Sequence, residues 1–370
     1  MGAETPKRTN ETGTLNGIGA APAGAGAGTD AADVSSARRL LDIVTGSWMT
    51  QAACVAAELQ IPDLLAKCPR TSDDLAAATG THAPSLHRLL RALTAIGICH
   101  ERDDGSFETT SMGSLLAAEA PASLRHWTIW WGRYLWPVWG RLLDSVKTGQ
   151  SARKLLFGTE GFEHLDGDPS AAAVFNQALA ELTRLACESV VRAYDFAGTR
   201  LIVDVGGGYG ELLVSILMAN PAAEGVLFDL PQAIEGARRH IGRAGLAERC
   251  RFIAGDFFEG VPGGGEAYVL KSVIHDWDDD RGKQILENCR QAMPAGARLL
   301  VIEQVLPDRL DTSAAHQSIA RSDLNMLVAQ SGRQRTRKEF HDLLRSAGFG
   351  VTRIVPAEPT FTIIEACPVP

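Results

Sequence analysis

Leu201-Ile-Val-Asp-Val-Gly-Gly-Gly-Tyr-Gly210 decides the fold, because an apolar run breaks there into Gly206, Gly207, Gly208 and Gly210 and a helix-compatible stretch, Glu211–Ala219, follows at once. The pattern reads as a buried strand turning sharply into a helix. Glycines at such a turn allow positive φ and let backbone N–H groups approach a ligand, while the following helix aims its positive dipole end at the same spot. A dinucleotide loop, G-x-G-x-x-G, needs its third glycine at position 211, which is Glu211, so the spacing argues against NAD.

Working outward, Glu224-Gly-Val-Leu-Phe-Asp229 is a second apolar run whose terminal acid falls about 20 residues beyond the glycines, where α/β folds place a carboxylate on ribose hydroxyls. Cys250-Arg-Phe-Ile-Ala-Gly-Asp256 repeats the arrangement and leads into Phe257 and Phe258, and Ala267-Tyr-Val-Leu270 opens into Lys271-Ser-Val-Ile-His275-Asp276-Trp277. A lone surface Asp caps a helix or is simply solvated. Several in succession at strand ends fit a ligand on the carboxyl edge of an open sheet. Further apolar runs at 298–302, 350–355 and 360–365 extend the alternation, the last two joined by a short Pro-containing turn. This predicts an α/β domain with a mostly parallel sheet and an antiparallel edge hairpin.

These motifs together resemble the S-adenosylmethionine-dependent O-methyltransferases of the plant caffeate and bacterial polyketide-tailoring type. The resemblance rests on Val203-Asp-Val-Gly-Gly-Gly208, Phe228-Asp-Leu-Pro231, Gly255-Asp-Phe-Phe258, Leu270-Lys271 through His275-Asp276-Trp277, and Arg335-Thr336. It implies a class I, Rossmann-like methyltransferase domain with a seven-stranded sheet, preceded by a mainly helical, winged-helix-like dimerisation domain. It also implies S-adenosyl-L-methionine as donor, S-adenosyl-L-homocysteine as product, no metal, and His275 as general base toward an acceptor hydroxyl. Glu303 matches one acid flanking that histidine, and neighbouring Asp276 contributes through geometry. Where the family has G-G-x-E-R-T this chain has Ser331-Gly-Arg-Gln-Arg-Thr336, so Gln334 replaces the second acid, and a neutral amide orients a ring without stabilising imidazolium.

Carried onto this chain, the cofactor set is Gly206 and Gly208 toward the methionine end, Asp229 on the ribose, Asp256 and Phe257 around adenine, and Lys271 on the cofactor side. Asp204, Leu230 and Ser272 complete it. Acceptor-wall candidates are Trp131, Phe162, Phe175, Leu179, Asn325 and Met326. The other histidines, His82, His87, His100, His126, His164, His240, His316 and His341, lack comparable context.

The rest of the chain sets the boundaries. Residues 1–33, rich in Ala, Gly and Thr, read as a disordered arm without the apolar core of a secretory signal. Residues 34–165 form the helical domain and 166–370 the catalytic one. Apolar residues from Leu40 to Leu59 recur at helical spacing, weakened by Gly46, and no apolar run reads as the roughly 20 residues of a membrane span. Short helices at 61–65, 71–80 and 85–96 precede a hairpin at 98–108 turned by Asp104-Gly105, a winged-helix pattern. A net charge of −8, with acids outweighing arginines between Asp63 and Glu108, speaks against nucleic acid and anionic membranes as partners. Six Trp and Tyr residues between 124 and 143 read as core or subunit-interface packing ahead of substrate contact. Asp168-Pro169 caps a long helix bridging to the catalytic domain. Seven cysteines without a C-x-x-C pair indicate a reducing, cytoplasmic setting. The expected partners are a small hydroxylated aromatic molecule and a second copy of the chain. The runner-up function is a relative that keeps the cofactor for decarboxylation, hydroxylation or a pericyclic step.

Overall fold

A computed structural model describes residues 31–370 except 160, 166, 358, 360 and 370. The expected arm therefore lies outside the described residues up to position 30, and residues 31–33 already open helix α1, Ala31–Glu58. Contacts divide the chain into two units, Met1–Gly46 and Ser47–Pro370. In the first, the described part is the opening of α1, where Leu40, Leu41, Ile43 and Val44 are all more than half exposed. The span Val34–Glu58 is long and apolar enough to cross a bilayer, with a mean hydropathy of 1.2, which corrects the expectation that no stretch reaches that length. Alanines, threonines and Gly46 interrupt the large apolar residues, so the run is inconspicuous until its helical continuity is known.

In the second unit, α2 (Ile61–Leu65), α3 (Ser72–Thr79) and α4 (Ala83–Ala95) precede the antiparallel pair β1 (Cys99–Glu101) and β2 (Phe107–Thr109). Thr71 and Asp74 cap α3 reciprocally, and Leu75, Leu86, Leu90, Leu93 and Phe107 bury a core of their own. The short helices α5 (Ser111–Ser114) and α6 (Arg125–Ile129) lead into a π-helical turn, Trp130–Leu135, and then α7 (Trp136–Trp139), α8 (Leu142–Thr148) and α9 (Ala152–Phe157). Asp168 caps α10 (Pro169–Ala193), as its Asp-Pro signal predicts. Buried Glu181 on α10 accepts the backbone N–H groups of His126 and Trp127, which fixes where the aromatic segment starts.

The remaining elements build the sheet in alternation. They are β3 (Leu201–Val205), α11 (Glu211–Ala219), β4 (Glu224–Asp229), α12 (Pro231–Arg243), β5 (Cys250–Ala254), β6 (Ala267–Lys271), α13 (Asp279–Ala292) and β7 (Arg298–Glu303). A small parallel pair, β8 (Val305–Leu306) with β9 (Arg335–Thr336), brackets α14 (Ala314–Ala329), and α15 (Arg337–Ser346) precedes the hairpin β10 (Phe349–Ala357) and β11 (Phe361–Pro368). The seven strands run β10-β11-β7-β6-β3-β4-β5, parallel from β7 to β5, with β11 antiparallel to β7 and β10 antiparallel to β11. Strand order reverses between β3 and β6, which opens a crevice at their carboxyl ends. Strand alternation sends Ile202, Leu227 and Leu300 to the core on one face and Val203, Phe228 and Val301 to the core on the other.

Candidate active site

The glycine turn after β3 puts Gly206, Gly208 and Gly210 at φ 69°, 58° and 81°, conformations that favour glycine. Gly207 answers to space instead: a Cβ there would stand 2.6 Å from Asp204 Oδ2. Gly206 N–H donates to Phe228 O at 2.8 Å, and Gly208 N–H donates to Asp229 Oδ2 at 2.7 Å. Leu230 N–H holds the other oxygen, Asp229 Oδ1, also at 2.7 Å. The turn and the acid of β4 are thus locked together, with carboxylate lone pairs left over for a ligand.

Above the carboxyl ends of β3 and β6 lies a cavity of about 960 Å³. Of the predicted cofactor set, Asp204, Gly206, Gly208, Lys271 and Ser272 line it, whereas Asp229, Leu230, Asp256 and Phe257 do not. Asp256 turns back to accept Phe258 N–H at 2.8 Å, and Phe257 packs edge-on against Phe258 and Trp277. Burial, with the nearby charge of Asp229, raises the Asp204 carboxyl to about 7. Burial also pulls the Lys271 ammonium below its usual range, and its Nζ donates to Thr183 Oγ1 at 2.9 Å. Ser272 sits at φ 55°, a strained value for a residue with a side chain, held by its N–H to Ile302 O at 3.0 Å.

His275 stands on a single turn just past β6, and its surroundings explain its orientation. Glu303, fully buried at the end of β7, accepts Val273 N–H at 3.1 Å, His275 N–H at 3.2 Å and the ring Nδ1 at 2.7 Å. One carboxylate therefore fixes both the ring and the backbone that carries it. The other ring nitrogen, Nε2, is 3.6 Å from Asp276 Oδ1, and both residues line the cavity. Burial alone lowers the imidazole, but the charges of Glu303 and Asp276 and the Glu303 hydrogen bond outweigh it and raise His275 above its ordinary value. Burial likewise raises Asp276 to about 6.

The turn is clamped from behind. Arg335, fully buried, donates from Nη1 to Ile274 O at 2.9 Å, from Nη2 to Trp277 O at 2.8 Å and from Nε to Asp279 Oδ1 at 2.9 Å. Gly332 packs so closely that a Cβ would fall 2.0 Å from the His275 carbonyl oxygen. Gln334 makes no hydrogen bond to the imidazole: its side chain donates to Ser322 Oγ at 2.9 Å and its backbone N–H to Asp323 Oδ1 at 2.8 Å, while its Oε1 is buried without a partner among the described residues. Arg335 and Gly332 thus hold the backbone of the His275 turn from behind.

All six predicted acceptor-wall residues, Trp131, Phe162, Phe175, Leu179, Asn325 and Met326, line the cavity. Trp139 Nε1 donates to Asn325 Oδ1 at 3.0 Å, joining the aromatic segment to α14. That segment both packs and lines the cavity: Trp130 stacks on Tyr134, while Trp127, Trp130 and Trp131 face the space. Sequence reasoning missed Arg153, Gln304 and Gln330, which also line it; no local pattern marks a long polar side chain as turned inward.

Fold and site together define a class I methyltransferase: a reversed strand order, a glycine turn at the switch point, and a buried imidazole on the same rim. Comparison with known proteins identifies the family. An O-methyltransferase domain matches residues 139–350 and an O-methyltransferase dimerisation domain matches residues 41–119. A phenazine O-methyltransferase of Lysobacter antibioticus is 41% identical over 89% of this chain and 96% of its own length. An O-demethylpuromycin-O-methyltransferase of Streptomyces alboniger is 39% identical over 92% and 91%. An O-methyltransferase from neocarzinostatin biosynthesis, solved with S-adenosylmethionine and 2-hydroxy-5-methyl naphthoic acid, superposes with a TM-score of 0.74 at 33% identity over 86% of this chain and 96% of that one. The chain belongs to the S-adenosylmethionine-dependent O-methyltransferases that carry a dimerisation domain, alongside bacterial enzymes of antibiotic biosynthesis.

Proposed function

We propose that this protein methylates a phenolic or enolic hydroxyl of an aromatic natural-product intermediate, with His275 as the general base. The observation that carries this reading is the imidazole itself: Nδ1 is held by Glu303 at 2.7 Å, which leaves Nε2 on the cavity side to accept a proton. A phenol near pKa 10 is mostly protonated at neutral pH, so removing that proton as the oxygen attacks is worth roughly 10²- to 10⁴-fold in rate. Glu303 keeps the ring in the tautomer with Nε2 free, and its charge stabilises the imidazolium that forms. Gln334 takes no part in that step, since its partners are Ser322 and Asp323.

The rim suits the donor. A buried carboxyl at Asp204, raised to about 7, favours a cationic neighbour such as the α-ammonium of S-adenosylmethionine, and buried Lys271 favours an anionic one. Asp229 retains lone pairs for ribose hydroxyls, and Asp256 and Phe257 stand at the next strand end for adenine. S-adenosylmethionine supplies the methyl group on its sulfonium; the chain's own residues orient the acceptor oxygen and take its proton. Trp131, Phe162, Phe175, Leu179, Asn325 and Met326 form a wall for a flat aromatic acceptor.

The exposed apolar residues of α1, from Leu40 to Trp48, and the dimerisation-domain match support a homodimer as the way this helix is covered, in preference to a bilayer. Seven unpaired cysteines support a reducing, cytoplasmic setting. The decisive test incubates the purified protein with S-adenosylmethionine and a panel of hydroxylated aromatics. One S-adenosylhomocysteine should form per methyl gained, and donor binding without methyl transfer to any acceptor overturns the reading.

A further inference from the structure

Arg153 sits in the short helix α9, Ala152–Phe157. Its side chain is 3% exposed and lines the cavity. Its Nη1 lies 2.7 Å from His164 Nε2 and 3.1 Å from Nδ1, and its guanidinium carbon lies 6.0 Å from the Trp130 ring centre. His164 gives it an acceptor but no charge: burial, then the field of Arg153, hold that imidazole down to about 4. Burial pulls Arg153 itself to about 10, so it stays cationic at neutral pH.

Among the described residues no carboxylate stands within ion-pair distance of this guanidinium. Asp276 acts on it through space, yet that carboxylate is the one set 3.6 Å from His275 Nε2. A buried cation without an anion is costly, and the fork of N–H groups that His164 does not use matches a carboxylate in two-point geometry.

We propose that Arg153 docks a carboxylate carried by the acceptor ring, so that the preferred acceptor is a hydroxylated aromatic acid. This rests on the O-methylation reading above and narrows its substrate class. The acid group sits on Arg153, the ring lies along Trp130, Phe162 and Phe175, and the reacting hydroxyl faces His275.

The test compares equilibrium binding of matched probes to the full-length protein saturated with S-adenosylhomocysteine. The probes are 3-hydroxy-2-naphthoate with its carboxamide, and 4-hydroxybenzoate with its carboxamide, titrated by calorimetry. Wild-type protein should bind at least one acid more than tenfold tighter than its amide. Arg153→Gln should bring that acid to the level of the amide while moving amide affinity less than twofold, and Arg153→Lys should keep part of the preference. Equal binding of acid and amide by the wild type, failure of every probe to bind, or a preference that survives in Arg153→Gln overturns the proposal. The wild-type comparison stands even if a variant fails to fold. Because the readout is binding without turnover, a protein that prefers acids but methylates nothing would count against the O-methylation reading alone.

Discussion

The His275 ring and the backbone of its turn find partners within the protein, whereas other polar groups that line the same cavity are left for something else to satisfy. The imidazole, two N–H groups and two carbonyls of its turn are held by Glu303 and Arg335. Elsewhere in the cavity lining, Gln304 Oε1 and Gln330 Oε1 are buried without a partner among the described residues, and Arg153 has a neutral one. A preorganised centre lowers a barrier because nothing has to reorganise during reaction. Unsatisfied groups discriminate, because only a ligand with the complementary pattern removes their penalty.

Breaking the satisfied half should produce the largest effects. His275→Ala should lower kcat by about 10²- to 10⁴-fold while S-adenosylmethionine affinity, measured by calorimetry, stays within about twofold. An unchanged kcat would reduce the imidazole to a wall. Glu303→Gln should cost roughly 10²-fold, because the imidazolium loses its carboxylate. The pH dependence carries a sign. If His275 is the base it works unprotonated, so kcat/KM should rise with pH through a limb above 6.5 in the wild type. Removing the charge of Glu303 should move that limb downward.

A smaller effect is expected one layer back. Gly332→Ala drives a methyl group into the His275 carbonyl oxygen, and should destabilise the fold by about 1–3 kcal/mol in denaturant titrations while lowering kcat more than it changes donor affinity. Donor binding itself should strengthen several-fold between about pH 6 and pH 8, since a cation binds best once Asp204, near 7, has lost its proton; Asp204→Asn should flatten that slope. Least of all, Gln334→Met should leave kcat/KM within about threefold, because this side chain hydrogen-bonds Ser322 and not the imidazole. A large loss there would return Gln334 to the catalytic set.

What could be read beforehand follows the same division. Strands β3 to β7 were legible because buried parallel strands are near-continuous apolar runs, and the turn after β3 because only glycine fits Gly207 beside Asp204. His275 and Glu303 were legible from a resemblance carried by a short, ordered motif. Arg335 was quoted as part of that motif, but its clamp on the turn depends on a tertiary path that no local pattern encodes. Arg153 was invisible for the same reason, since a long side chain on a short amphipathic helix gives no sign of which way it bends. At the π-helical turn Trp130–Leu135, Trp130 packs on Phe175 of α10 and Gly132 lies against Cys54 of α1, contacts that local propensity does not report. Asp229 was foreseen as a ribose ligand, but not as the group already joined to Gly208 and Leu230.

Glu303 belongs to a strand hydrogen-bonded on both sides, so the imidazole it holds inherits its coordinates from the middle of the sheet. Arg153, on α9, and Gln330, just past the end of α14, belong to elements outside that sheet. Acceptor choice can therefore be rewritten by mutation while the reaction is left intact, a mechanical decoupling that lets one scaffold diversify over many small molecules.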